Sequence, residues 1–178
     1  LRQTSVYDVL TYQAVLRSPE RIDAQPTPED ALRQVFLTGR FEGPEPARLY
    51  SDMNALVLRH LVERVSGLSY WDYLSRHIFA PCGMVETYAR VPRERLADCL
   101  CYNYEHRLVN GQYRVIDDAQ PGQPHDPKAR LLAAVDGGPA GHAGLFSTQS
   151  DMVRFAQGLL RGDLLSHAML MDIGRDRT

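Results

Sequence analysis

Helix start and stop signals constrain this chain more than any other feature. Thr27 is followed by Pro28 and, three residues on, by Asp30; Ser69 has Asp72 at the same spacing. A hydroxyl at such a position accepts hydrogen bonds from the orphan N–H groups of the first helical turn. An acid three residues later returns a bond, and proline at the first position loses nothing. Ser147 or Thr148 is placed to cap a further run, and Gly67 and Gly162 are placed to end helices in a left-handed conformation. These signals predict helices over 5–17, with Val6, Val9, Leu10 and Ala14 inward, over 28–37, over 52–66, from Ser69 to a stop at Pro81, over 127–135 and over 150–160.

Strand signals are few. Two short β-prone runs flank Asn110-Gly111 within 104–117, the strongest short hairpin signal. The segments 38–49 and 121–127 read as Pro- and Gly-rich loop, and 136–148 is glycine-rich. The expected fold is mainly α with a small β-hairpin, in a single partial domain over 1–178. The 44% hydrophobic and 24% charged residues suit a globular chain, and a net charge of -2 favours neither nucleic acid nor a membrane surface as partner. No apolar run reaches bilayer-spanning length. The chain begins at Leu1 rather than Met, as expected of a piece or a processed form.

The stretch 49–67, "LYSDMNALVLRHLVERVSG", places Tyr50, Ser51 and Asp52 at the mouth of the 52–66 helix. Met53, Leu56, Val57, Leu61 and Val65 mark its apolar face. Read alone, Ser51 or Asp52 is a cap and Tyr50 an aromatic lid; the other reading makes all three part of a reactive turn.

Motifs in order favour the second reading. "YSDMNALVLRHLVERVSGLSYWDYLSRHIFAPCGM" and "GHAGLFSTQSDMVRFAQGLL" resemble the central region of the serine β-lactamase-like family, which includes class C β-lactamases, low-molecular-weight penicillin-binding proteins and related esterases. Tyr50-Ser51-Asp52, Ser66-Gly67, Phe79-x-Pro81, Gly83-Met84, Gly144-Leu145, Ser147-Thr148, Asp151 and Phe155 follow the family order. "HDPKA" at 125–129 and "TSVYDVLTY" at 4–12 resemble further family stretches. The resemblance implies a bacterial protein, with its compartment open, and the helical lobe of a β-lactamase/transpeptidase-like α/β fold. The rest of the parent chain is expected to complete the sheet lobe.

The resemblance also implies acyl transfer by a serine in Ser-x-x-Lys, a proton-passing tyrosine at Tyr50 and a Lys/His-Thr/Ser-Gly motif. No serine here has lysine three residues on, and Lys128, the one lysine among 20 Lys+Arg, is followed by Ala-Arg. One motif of three is present. The expected function is therefore part of a serine hydrolase acting on a β-lactam, D-alanyl peptide or ester, with the nucleophile outside the chain; the alternative is a non-catalytic helical binding or interaction module. Tyr50 and Asp52 are the expected catalytic residues. Ser51, Asn54 and His142 are expected at a small-molecule or peptide substrate, His142 otherwise being a loop residue bonded to nearby carbonyls. Asp52 stands where the family often has Asn, and a carboxylate accepts but does not donate. His125-Asp126 reads as helix-start chemistry rather than a base with its orienter, and Tyr70, Trp71 and Tyr73 as core aromatics. No cofactor is implied, and no metal: Cys99-x-Cys101 lacks a second ligand pair, and an odd count of three cysteines fits thiols better than a disulfide frame.

Overall fold

The computed structural model describes residues 4–41, 49–101, 105–116 and 120–175. Most of the 38–49 loop and the outer ends of the hairpin, Tyr104 and Asp117, lie outside the described residues.

Helix α1 (Val6–Leu10) is much shorter than its apolar pattern predicts. Ser5 and Asp8 form a reciprocal capping box. The chain then leaves the helix at Tyr12, whose φ of 58° is left-handed. Beyond it Leu16–Arg17 (β1) pairs antiparallel with Gly39–Arg40 (β2). An apolar run such as Ala14-Val15-Leu16 suits a buried strand as well as a helix, and periodicity cannot separate them over so short a length. Val9 and Ala14 are buried as expected, whereas Val6 and Leu10 are exposed.

A 3-10 turn at Ile22–Ala24 leads to α2 (Pro28–Phe36), capped by Thr27 with Pro28 at its first position. Helix α3 (Asp52–Ser66) has the expected bounds, with Ser51 as its cap and Gly67 left-handed at φ 70°. Its buried face differs from the predicted one. Met53 and Leu56 are buried, but Val65 is 79% exposed. Each residue advances about 100°, so the four-residue series from Met53 through Val57 and Leu61 has rotated about 120° off the core by Val65. Arg59 takes an inward position instead, buried against Asp136.

Helix α4 (Tyr70–Leu74), a π segment (Ser75–Phe79) and α5 (Ala80–Cys82) run on without a break. Pro81 therefore does not stop the helix. The wider π turn accommodates a residue without an N–H, and the end comes at left-handed Gly83. Tyr70, Trp71 and Tyr73 are only half-buried, outside the main core, so their expected place in it is corrected. Trp71 packs on Phe79 and Tyr73 on His77.

After a 3-10 turn at Arg93–Asp98 comes the hairpin of β3 (Glu105–Val109) and β4 (Gln112–Ile116). Asn110 and Gly111 both have positive φ, 51° and 76°, as a type I′ turn requires. Helix α6 (Pro127–Asp136) is capped by Asp126, α7 (Gln149–Arg161) by Thr148, and α8 (His167–Ile173) by Ser166. The sequence reading did not anticipate α8. The core gathers Val9, Leu16, Ile22, Val35, Leu56 and Leu132 where α1, α2, α3 and α6 meet. Among the described residues the sheets are two-stranded, and no helix is long and apolar enough to cross a membrane.

Asp151 explains why "STQSD" is more than a cap. Thr148 accepts from the Asp151 N–H, as in a capping box. The Asp151 carboxylate does not return the bond. It is 0% exposed and instead accepts from the Glu86 N–H at 2.7 Å, Thr87 Oγ1 at 2.9 Å and Arg154 at 2.7 Å. It thereby pins the start of α7 to the loop after α5. Burial opposes its charge, but the bonds from Arg154, Glu86 and Thr87 outweigh that and hold its pKa below the usual carboxylate range.

Candidate active site

Three segments meet at the head of α3. Ser51 accepts from the Met53 N–H at 3.3 Å and donates to the Leu16 carbonyl at 3.0 Å, which fixes the turn against β1. With its backbone so held, Tyr50 projects outward, 75% exposed. Its hydroxyl donates to Asp52 Oδ1 at 3.1 Å. The other oxygen of that carboxylate accepts from Lys128 Nζ at 2.8 Å. Lys128 lies 3.9 Å from Asp126 Oδ2, and Asp126 Oδ1 lies 2.9 Å from His142 Nε2. A chain of contacts thus runs Tyr50, Asp52, Lys128, Asp126, His142.

The third segment is the 137–144 loop, which the ion pair of buried Arg59 with the exposed Asp136 secures to α3 at one end. Further along, Gly141 has φ 109°, and a Cβ there would stand 2.7 Å from the Ala55 carbonyl. Only glycine permits this approach without displacing backbone. The loop carries His142 behind Asp126, where its side chain is 6% exposed.

The cluster's electrostatics reinforce one another. Burial works against the Asp126 charge. The bonds from His142 and the Ala129 N–H, with the His142 and Lys128 charges, overcome it and lower its pKa to about 2. An ionised carboxylate only accepts, so His142 Nε2 carries the proton in that contact. Burial likewise opposes the Lys128 ammonium, but the bond to Asp52 and the charges of Asp126 and Asp52 raise its pKa. For Tyr50 the bond to Asp52 is the largest influence, and it pushes the phenol above its usual value; Lys128 pulls the other way. The phenol is therefore a neutral donor at ordinary pH.

The linkage has a sign that can be tested. Asp126 has a folded pKa of about 2, below the unfolded carboxylate value. Its contribution to stability is present above about pH 4 and is lost as pH falls from there to about 2. The span corresponds to about 2 kcal/mol. Asp126→Asn should lower neutral-pH stability on that scale and flatten the acid limb of a denaturation-versus-pH curve. An unchanged acid limb would contradict it.

An open cleft of about 500 Å³ lies beside this chain of contacts, lined by residues 16–23, 50–53 and Lys128. The structure thus places Tyr50, Ser51 and Asp52 together on one cleft. His142 lies one step removed, on a neighbouring cleft with Asp126 and Tyr70, and reaches the first through Asp126. Asn54 requires a correction. It is 0% exposed, and its Nδ2 donates to the Val9 carbonyl at 2.7 Å. Two residues along a helix is about 200°, so when Asp52 faces the cleft Asn54 faces the core. Asp126 both caps α6 and anchors His142, and it joins helix-start chemistry to the site. Lys128 and Asp126 are not among the expected site residues; the signals for them are that Lys128 is the sole lysine and that both lie in the family-like stretch 125–129. Asp52, Asp126 and His142 converge closely enough to suggest a metal-ligand set, but the Lys128 ammonium pairs with both carboxylates and fills the cation's role.

A short helical lobe with a tyrosine–carboxylate–lysine turn beside a cleft has the architecture of the helical portion of β-lactamase/transpeptidase folds. Residues 2–173 match the sequence model described as beta-lactamase, and the chain belongs to that family of serine hydrolases. Penicillin-binding protein 4* of Bacillus subtilis (strain 168) is 32% identical over 143 residues, which are 78% of this chain and 29% of that protein. A putative D-alanyl-D-alanine carboxypeptidase of Escherichia coli (strain K12) is 30% identical over 125 residues, 67% of this chain and 28% of that protein. The chain thus spans less than a third of the length of these curated relatives. FmtA from Staphylococcus aureus superposes with a TM-score of 0.63 at 16% identity, over 92% of this chain and 42% of that one. D-amino acid amidase from Ochrobactrum anthropi SV3, complexed with D-phenylalanine, gives 0.60 at 22% identity, over 93% and 47%. At these identities the superpositions establish a shared fold.

Proposed function

We propose that this chain supplies the proton-transfer turn of a serine hydrolase that works through an acyl-enzyme on a β-lactam, a D-alanyl peptide, an amide or an ester. In this reading the nucleophilic serine and its lysine lie on polypeptide outside residues 1–178. The observation that carries it is the Tyr50 hydroxyl, held by Asp52 at the rim of an open cleft with Lys128 on the far oxygen.

The roles follow from the chemistry. Acylation moves a proton from the serine hydroxyl to the leaving group. A neutral phenol at the cleft rim donates to the departing nitrogen or oxygen and takes up the serine proton in the same relay. Asp52 orients that hydroxyl, and Lys128 keeps the carboxylate ionised and in place. Because Asp52 cannot donate, it offers a substrate an acceptor only, which suits an amide N–H or an ammonium better than a carbonyl. The names of the relatives, a carboxypeptidase and an amidase among them, fit this preference.

The 178-residue chain by itself should form no covalent adduct with a fluorescent penicillin and should not hydrolyse nitrocefin, since it has no Ser-x-x-Lys. The full gene product should do at least one of these or cleave a D-alanyl peptide or ester. Intact-mass spectrometry reads the adducts, and product formation reads the hydrolysis. A stoichiometric adduct on a serine of the 178-residue chain would overturn the placement of the nucleophile. A full gene product inert to β-lactam, D-alanyl peptide and ester alike would favour a non-catalytic interaction module.

A further inference from the structure

We propose that Tyr12 is a positioning residue for Tyr50, its ring serving as the wall against which the phenol is held. The proposal rests on the reading of Tyr50 given above. Tyr50 is mostly exposed, and exposed side chains change rotamer within nanoseconds. One hydrogen bond to Asp52 fixes its hydroxyl but leaves the ring free to swing about that contact. The other face of the problem is solved by Tyr12. The two rings stack with centroids 5.5 Å apart and planes 16° from parallel, within the range where offset aromatic pairs attract.

The backbone under Tyr12 indicates that this placement is imposed. Among the described residues, Tyr12 and Asn110 are the non-glycine residues with positive φ. Asn110 sits in a hairpin turn that requires it, and asparagine tolerates that region. A bulky aromatic residue does not adopt it readily, and such strain persists only where the surroundings over-determine it. They do so here. The Gln13 and Ala14 N–H groups both donate to the Asp8 carbonyl at 2.9 Å, closing the turn on either side of the end of α1. The Leu49 N–H donates to the Tyr12 carbonyl at 3.4 Å, tying the turn to the residue before Tyr50. From α3, buried Asn54 holds the Val9 carbonyl. These ties give Asn54 an architectural purpose: it registers α1, and with it the Tyr12 ring, against the head of α3. Behind the Asp52 bond and charge and some burial, the neighbouring Tyr12 also pushes the Tyr50 phenol up, in keeping with a neutral donor.

The test uses the full gene product labelled with 3-fluorotyrosine, in parent, Tyr12→Phe, Tyr12→Asn and Tyr50→Phe forms. Asparagine accepts the left-handed backbone and removes the ring; phenylalanine keeps the ring and removes the hydroxyl. Tyr12→Asn should lower kcat by ~10-fold to ~100-fold, the scale of a misplaced catalytic group, with KM within about twofold. Tyr12→Phe should restore kcat to within about twofold of the parent. The Tyr50 fluorine resonance, assigned by its loss in Tyr50→Phe, should move in Tyr12→Asn. Parent-like kcat in Tyr12→Asn alongside an impaired Tyr50→Phe overturns the proposal, as does an equal loss in Tyr12→Phe and Tyr12→Asn. If Tyr50→Phe is fully active, the catalytic reading fails separately, and the fluorine resonance alone decides whether Tyr12 positions the ring: a shift upholds it and an unmoved signal ends it.

Discussion

Tyr50→Phe in the full gene product is expected to lower turnover by about a hundredfold or more, the usual scale for a lost general acid–base group. The substitution deletes one oxygen from a ring that is largely in solvent, so folding should be unaffected. It leaves Asp52 with Lys128 but no hydroxyl to orient. Because the bond to Asp52 holds the phenol above its ordinary pKa, the loss should be present throughout the neutral range and should not vanish on going to mildly alkaline pH. Steady-state kinetics against pH with matched thermal melts separate the two effects. Parent-like turnover would return Tyr50 to the role of an aromatic lid.

The largest stability effect is expected at Asp151. Its carboxylate is fully buried and satisfies the Glu86 N–H, the Thr87 hydroxyl and Arg154. Asp151→Ala strips all three of their partner at once. Removing the acceptor of the Glu86 N–H and of the buried Thr87 hydroxyl costs about 1–3 kcal/mol for each, while Arg154, 43% exposed, turns to water. Asp151→Asn keeps the shape and one acceptor oxygen and should cost less. Urea denaturation of the 178-residue chain measures both. A midpoint for Asp151→Ala equal to the parent's would mean that α7 is held to the 85–87 loop by packing alone.

Elements with a capping side chain at the start were the ones the sequence predicted well. Helices α2, α3 and α7 each have a capping hydroxyl at the start, and α3 and α7 a left-handed glycine at the end; their observed bounds fall within about two residues of expectation. Helix α1 failed because nothing in "TYQAVLR" marks a stop: its end depends on an unfavourable tyrosine conformation that tertiary contacts enforce. Helix α8 carries a serine cap but no buried residue, so no inward-facing pattern revealed it. At the cleft, it was the order of the family motifs rather than the stretch itself that singled out Tyr50 and Asp52, which the structure places on one cleft. That order was not sufficient for Lys128, whose partner is 76 residues away, nor for Asn54, whose polarity suggested substrate while its angular position faces it inward.

That separation has a consequence for the chain as it is made. Synthesis proceeds at ~5–20 residues per second, so Lys128 leaves the ribosome ~4–15 s after Asp52. Arg59 waits 77 residues for Asp136. During that interval the head of α3 displays an uncompensated carboxylate, and the inward-facing guanidinium of Arg59 must remain hydrated. Long-range closure has to come before Asp52 meets Lys128 or Arg59 meets Asp136. Until then Glu63, one turn along α3 and 3.6 Å from the Arg59 guanidinium, is its counter-charge, so α3 carries a provisional partner for Arg59 within its own sequence.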